Sequence, residues 1–367
     1  MVLSADTATS VRPAASLPQP TRLRLGFLTR LEVGADAADS YQFALDMFSA
    51  AEELGYDTGW IAQHHFLNGA GRLPSAFPFL GAAAERTKRI GLGTAIVTLP
   101  LEDPVRVAED AAFVDVLSGG RLQLGLGPGG DPLTFSALGR DVNARRENHA
   151  KGIDIIRDAL VGNPINGTSA VMYPTSPTLP DRIWEATFSV DGGARIGKNG
   201  NGLLLARTSA MSRDPADVVQ LPIGQAYAEE IAKRGITPRL GLSRTVYAAA
   251  DRKTAMAEMG SGVDQWVKLL VSRGAFPPGL SAEEAFARIH IHYGHPEQVI
   301  ASLREDRLMP MTTELICQVQ PGSPTQSQIL KSLELIATQV APELGWRPDF
   351  APSTTRQTTG HKGEQTP

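Results

Sequence analysis

Two adjacent histidines, His64 and His65, stand in the segment GWIAQHHF, Gly59 to Phe66. A neutral imidazole donates at one ring nitrogen and accepts at the other, and it titrates near neutral pH. Neighbouring side chains on extended backbone point to opposite faces, so one ring can face a pocket while the other packs. Thr58 to Ala62 is apolar and aromatic and follows a turn at Gly55 and Asp57, the pattern of a short buried strand. The Gly-rich turn NGAG comes next. The histidines therefore fall at the carboxyl end of a strand, where alternating β/α folds place their chemistry. Read alone, the stretch equally suits two satisfied histidines that brace a loop.

The elements that would position this pair follow one alternating order. LRLGFLT, Leu23 to Thr29, reads as a first strand. Asp39 or Ser40 caps a helix in which Ala44, Met47, Phe48, Ala51 and Leu54 recur at helical spacing, and Gly55 ends it. After the strand into His64 come a helix over Ala76 to Thr87 and a third strand, Arg89 to Val97. Asp103 and Pro104 open a helix that stops at Gly119 and Gly120. A fourth strand, Arg121 to Leu126, runs into GPGGDP. The strands are continuous apolar runs, as expected when both faces are buried in a parallel sheet. A helix fits Asn143 to Val161, and a Pro/Gly/Ser/Thr-rich loop, Gly162 to Pro180, is expected to lie across a barrel face. Further strands fit Ile183 to Phe188, Leu203 to Arg207, Leu240 to Ala248 and Glu314 to Val319, with helical segments between and after them. About eight strands in this order close a TIM-type (β/α)8 barrel with loop and helical insertions; an open doubly wound sheet is the alternative. The chain divides into an N-terminal arm (1–20), one barrel domain (21–350) and a polar tail (351–367), both ends being expected to be disordered.

In such a barrel the loops after the strands share one rim. They bring together His64 and His65, Thr94 to Pro100, Gly127, Gly129, Gly130 and Asp131, Ser189 and Gly192, Arg207 and Thr208, and Gln318 and Gln320. That rim is rich in glycine and poor in carboxylates. Small residues at Gly93, Thr94 and Ala95 let a flat ring system lie against the backbone. Ser189 and Gly192 open a short helix whose N–H groups suit a phosphate, and Arg145 and Arg146 add a charged clamp. His290, His292 and His295 in IHIHYGHP have no acid beside them, so no metal site is expected there. No GxSxG elbow is present, and GLGPGG lacks the third glycine of a dinucleotide fingerprint in register.

The 367 residues carry 35 Lys+Arg against 39 Asp+Glu, a formal net charge of -4, which gives no reason to expect nucleic acid or anionic membrane as partner. No apolar run is long enough to span a membrane. The 1 cysteine, Cys317, falls in a buried strand, excludes an internal disulfide framework and suits a cytoplasmic protein.

The block from Asp57 to Ile156, with GYDTGWIAQHHF, AERTKRIGLGTAIVTLPLEDPVRVAED, DVLSGGRLQLGLGPG and FSALGRD in order, resembles the bacterial luciferase-like flavin-dependent monooxygenases. The resemblance implies a barrel that binds reduced flavin mononucleotide (FMN), supplied by a partner reductase, and uses oxygen to oxidise a small-molecule substrate. It assigns the catalytic acid/base role to His64, with Gln63 standing where the family has an acid. It implies a non-proline cis peptide at Ala95-Ile96 and phosphate contacts at Arg146, Ser189 and Gly192. With the rim residues, the expected cofactor-binding set is Thr94, Ala95, Gly127, Arg146, Ser189, Gly192 and Arg207. A reactive cysteine and an arginine of the luciferase pattern are replaced by Gly127 and Pro128, so a larger substrate space or a different ring orientation is expected and light emission is not implied. Family likeness also implies a homodimer joined through the helices after the second and third strands. Two other functions stay open: a deazaflavin- or nicotinamide-linked oxidoreductase on the same barrel, and a flavin-binding protein without turnover.

Overall fold

The computed structural model describes residues 22–66, 71–208, 212, 214–272, 276–288, 290–320 and 323–349. The expected arm and tail lie outside the described residues. In chain order the elements are β1 (Arg24–Thr29), α1 (Ala37–Leu54), β2 (Thr58–Ile61), α2 (Ala76–Arg86), β3 (Gly91–Thr94), β4 (Val97–Thr98) and α3 (Pro104–Leu117). They continue with β5 (Leu122–Gly127), α4 (Pro132–Ala137), α5 (Arg145–Leu160), β6 (Ile183–Ala186), α6 (Val190–Asn199), β7 (Gly202–Leu205) and α7 (Ala216–Lys233). The last third holds β8 (Leu240–Ala248), α8 (Arg252–Ser272), α9 (Ala282–Arg288), β9 (Ile291–Gly294), α10 (Pro296–Arg304), β10 (Glu314–Gln318) and α11 (Gln326–Leu335).

Strands β1, β2, β3, β5, β6, β7, β8 and β10 pair side by side, all parallel, and β10 returns to both β1 and β8. This is the closed (β/α)8 barrel, with the helices outside it. β9 is additional, paired with the outer half of β8 from Thr245↔Ile291 to Ala248↔Gly294. The third strand differs from the continuous run expected. It breaks at a cis Ala95-Ile96 peptide, the bond the family likeness implied, and resumes as β4 against β5.

Local chemistry explains the helix ends. α1 is capped by Asp36, whose carboxylate accepts from the Asp39 N–H at 2.9 Å, rather than by Asp39 or Ser40. Gly55 closes it with φ 89, a left-handed value that glycine adopts without a Cβ clash. α3 begins as expected, with the Asp103 carboxylate accepting from Val105 N and Arg106 N ahead of Pro104. The 162–180 segment packs against α3 and α5 and the start of β5: Ser176 Oγ donates to Asp115 Oδ2 at 2.6 Å, and Arg182 joins Asp115 to the Gly120 and Leu122 carbonyls. It does not roof the catalytic end of the barrel.

Inside the barrel two tryptophans fill the lumen. Trp60 and Trp184 meet edge to face, with centroids 5.6 Å apart. Each lies beside a glycine of the next strand, Trp60↔Gly93 and Trp184↔Gly202. A Cβ at Gly93 would stand 2.3 Å from the Trp60 ring, and one at Gly202 2.4 Å from the Trp184 ring. The space above Gly93 therefore belongs to Trp60, and the expectation that this glycine receives a ligand ring is corrected. Leu28, Ala62, Leu204 and Ile316 complete this packed floor.

Candidate active site

Above the floor, at the carboxyl ends of the strands, lies a cavity of about 750 Å³. Drug-sized and cofactor-sized ligands occupy cavities of about 300–1,000 Å³. Of the residues singled out from the sequence, His64, Ala95, Gly127, Arg146 and Ser189 line it, with His65 and Arg145 beside them. Its walls are largely apolar, from Ile96, Leu101, Pro128, Phe135, Ala186 and Phe188.

His64 follows β2, and its backbone N–H is tied to the Leu73 carbonyl at 2.8 Å. Gly71 lies against its ring: a Cβ there would stand 2.8 Å from His64 Cγ, and φ is 144. Arg30, at the end of β1, brings Nη2 within 3.3 Å of His64 Nε2, and Arg30 Nη1 in turn pairs with Glu32 at 3.0 Å. His64 Nδ1 is buried and has no partner. Burial, then the charge of Arg30, lowers the His64 pKa from 6.5 to about 4. Gln63 braces the neighbouring loops: its amide nitrogen donates to Glu102 Oε1 at 2.8 Å and to the Pro74 carbonyl at 3.0 Å, while its oxygen accepts from Thr98 N at 2.8 Å. It makes no contact that would orient the imidazole. Arg30 has that part, and nothing but its place at a strand end marks it in the sequence.

Arg145 and Arg146 occupy the first turn of α5, at the positive end of its dipole, where cations are ordinarily disfavoured. Arg145 Nη1 donates to the Val142 carbonyl at 2.8 Å; Arg146 has no ion-pair or hydrogen-bond partner among the described residues. The N-terminus of α6 reaches the same cavity. Ser189 caps it, accepting from Gly192 N at 3.2 Å, so that N–H is already engaged. The N–H groups of Val190 and Asp191 have no acceptor among the described residues. Two helix N-termini and two guanidinium groups thus converge on one cavity wall, which is an arrangement for an anion.

Three expected cofactor residues do not line this cavity. Thr94 is fully buried and bonds Gly125 in both directions, Oγ1 to the carbonyl and from the N–H, each at 2.8 Å, so it fastens β3 to β5. Gly192 lies one turn into α6 and packs on Thr187; a Cβ there would stand 2.0 Å from Thr187 Oγ1. Arg207 is half-buried, stacked over Trp266 of α8 at 5.1 Å, and burial with the nearby Arg30 charge lowers its pKa to about 10. It stays a cation at neutral pH, and its field reaches His64. Gly127 lines the cavity beside Ile96: a Cβ there would meet Ile96 Cδ1 at 2.9 Å. Cys317 is fully buried in β10, and burial pushes its thiol pKa up, in keeping with inert packing.

A buried carboxylate missed in the sequence supports the anion-facing wall. Glu185 of β6 accepts from His149 of α5 at 3.1 Å, Arg195 of α6 at 2.7 Å and Asn201 at 2.6 Å. Burial opposes its ionised form, yet these donors pull its pKa down to about 2. One charge therefore ties α5 and α6, the two helices whose N-termini face the cavity, to the barrel. An isolated Glu in an apolar run gives no sequence hint of such partners.

The residues fit FMN in three respects: an apolar slot of sufficient size, an imidazole at its edge, and a doubly cationic helix start at the side.

The family model described as luciferase-like monooxygenase matches residues 22–312. The chain is 38% identical over 138 residues to 4-hydroxyprotoasukamycin monooxygenase of Streptomyces nodosus subsp. asukaensis, a match that covers 37% of each chain. It is 28% identical over 333 residues to limonene 1,2-monooxygenase of Rhodococcus erythropolis, covering 84% of this chain and 82% of that one. Among solved structures, the oxygenating constituent of 3,6-diketocamphane monooxygenase of Pseudomonas putida, in complex with FMN, superposes with TM-score 0.69 at 17% identity, over 88% of this chain and 99% of that one. The coenzyme F420 dependent tetrahydromethanopterin reductase of Methanopyrus kandleri does so with TM-score 0.64 at 18% identity, over 88% and 100%.

Proposed function

The chain belongs to the luciferase-like monooxygenase family and is an oxidoreductase, and from that premise we propose that it uses reduced FMN and oxygen to oxidise a small organic substrate. The observation that carries this reading is the single cavity that joins His64, the Ala95-Ile96 and Gly127 wall, and the Arg146–Ser189 side. Reduced flavin, when bound, supplies the electrons that activate oxygen.

The chain's own residues do the rest. Arg146 and the first turn of α6 hold the phosphate, with Arg145 alongside. Ala95, Ile96, Gly127 and Ala186 form the apolar walls that keep water from the reacting atoms. His64, neutral at working pH, lines the cavity edge and gives or takes a proton there. Arg30 and Arg207 favour negative charge on whatever lies against that ring.

A separate reductase supplies the reduced flavin, and the protein works in the cytoplasm as a homodimer. No described helix is long and apolar enough to cross a membrane. Hydride transfer with deazaflavin or nicotinamide is the second reading, because neither the anion-facing wall nor the position of His64 requires oxygen. A flavin-binding protein without turnover is the third.

One experiment separates them. Purified protein is mixed with reduced FMN, with reduced deazaflavin, or with NADPH, each with and without oxygen, against a panel of small organic substrates that includes limonene and cyclic ketones. Oxygen uptake matched to product with reduced FMN supports the proposal. Turnover without oxygen supports the second reading, and flavin retention with no turnover under any condition supports the third.

A further inference from the structure

The barrel's outer edge holds a second convergence of chemistry-bearing side chains, and it shares no lining residue with the cavity of His64. His292, in the middle of β9, is 0% exposed. Its Nδ1 meets Ser302 Oγ of α10 at 2.8 Å, and its Nε2 is buried with no partner. His290 precedes β9 at φ 56, a left-handed value uncommon for a side-chain-bearing residue, and its ring lies 4.9 Å from that of His292. His290 Nδ1 is likewise buried without a partner. Asp306, 2% exposed, arrives from the loop after α10. One ligand atom from each of these three residues lies within 4.8 Å of the other two. The expectation that the IHIHYGHP histidines have no acid beside them is corrected by this arrival.

Buried polar atoms are nearly always partnered, and an orphan calls for a water or an ion. Here two orphaned imidazole nitrogens and a buried carboxylate share one spot. A cavity of about 420 Å³ opens beside them, lined in part by His290, Ser302 and Asp306, which gives an ion a path in and room for water in a further coordination position.

We propose that His290, His292 and Asp306 form a binding site for a divalent transition metal of the zinc type. Two imidazoles and one carboxylate make a common three-ligand set for such ions. The outer contacts suit the role. Ser302 fixes the His292 ring, leaving Nε2 for the ion. Asp306 accepts Leu308 N on Oδ1 at 2.9 Å and Arg244 Nε on Oδ2 at 2.6 Å, which orients the carboxylate and leaves one acceptor position on each oxygen. Two imidazoles against one carboxylate disfavour calcium and magnesium, which bind through oxygens, and leave affinity to ions that prefer imidazole. The ion fastens β9, which hangs on the barrel by one edge, to the loop after α10.

The test uses tag-free full-length protein stripped with chelator, in the absence of flavin. Cobalt(II) is added while visible absorbance is recorded, and zinc is titrated by calorimetry. One equivalent of cobalt with an intense visible band, displaced by zinc, is expected. His290→Ala, at the half-exposed end of the site, and Asp306→Asn should each weaken zinc by at least about tenfold. His295→Ala, which removes the α10 cap at the surface, should leave binding unchanged. Circular dichroism confirms that each variant is folded; if Asp306→Asn is not, His290→Ala decides alone. No cobalt band, or a band that survives in His290→Ala, overturns the site and assigns the orphaned nitrogens to water.

Discussion

Arg30 Nη2 lies 3.3 Å from His64 Nε2, and this contact sets the tautomer of the ring and, after burial, helps set its charge. A guanidinium only donates, so Nε2 accepts and the proton of the neutral ring sits on Nδ1. The same positive charge, with burial, keeps the ring from protonating until about pH 4. At neutral pH His64 is therefore a neutral ring protonated at Nδ1, not an imidazolium.

The pH consequence has a definite sign. The folded-state pKa of His64 is lowered, so the unfolded chain binds more protons between about pH 6.5 and the folded value of about 4. This group's contribution to stability is complete above pH 6.5 and is lost as pH falls through that window. Activity should show no acid limb near pH 6.5. Arg30→Gln should move the His64 titration upward, read by NMR of the ring proton, and bring an acid limb into the profile. His64→Ala should lower kcat by about a hundredfold or more, the usual weight of a general acid/base, while changing FMN affinity little. Equal activity in His64→Ala removes the residue from the mechanism.

The barrel was legible because its strands are buried on both faces and read as unbroken apolar runs, and because caps such as Asp103-Pro104 and stops such as Gly55 are local signals. Strand ends and one helix start were enough to bring His64, Ala95, Gly127, Arg146 and Ser189 together, and these five line one cavity. The site was not legible where tertiary neighbours decide the role. Thr94 and Gly93 read as space for a ligand, but the first bonds Gly125 and the second receives Trp60. β9 is four residues long, and its partner is the outer half of β8, so its pattern was too short to separate from a loop. Asp306 and Glu185 were missed for the same reason: a carboxylate's partners come from other elements.

Arg146 separates phosphate recognition from ring binding. Its guanidinium is unpartnered among the described residues and stands at a helix start that already carries positive charge. A charge-assisted hydrogen bond is worth about 1.5–3 kcal/mol. Arg146→Ala should therefore weaken FMN by roughly ten- to a hundredfold and leave riboflavin unchanged, measured by fluorescence quenching of each. A constant ratio of the two affinities reassigns Arg146 to the solvated surface.

The proposed homodimer has a candidate face on α3. Phe113 is 58% exposed, Val116 56% and Leu117 44%, and spacing of three and four places them on one strip of the helix. Contiguous exposed apolar groups of this kind mark protein contacts. Phe113→Glu combined with Val116→Glu should convert dimer to monomer by light scattering without loss of helical signal. A wild-type chain that is monomeric, or a variant that stays dimeric, removes α3 from the interface.

Glu185 offers the sharpest separation of support from contact. Its carboxylate is completely buried, touches no cavity residue through the bonds described, and accepts from His149, Arg195 and Asn201. Glu185→Gln keeps the shape but removes the charge and turns one acceptor into a donor that faces Arg195 or Asn201. Breaking a buried charged pair costs about 3–5 kcal/mol, so melting should fall by several degrees. The pKa of Glu185 is lowered to about 2, so its contribution is present above the unfolded value of 4.5 and is lost as pH falls through the folded one. The wild type should accordingly lose stability below pH 4.5, and the variant should lose less over that range. Because α5 and α6 carry the wall proposed to hold the phosphate, FMN should weaken more than riboflavin in the variant, even at temperatures where both proteins are fully folded. A purely structural role would lower melting and leave that ratio untouched, whereas a change in the ratio makes Glu185 the residue that positions two helix starts around one anion.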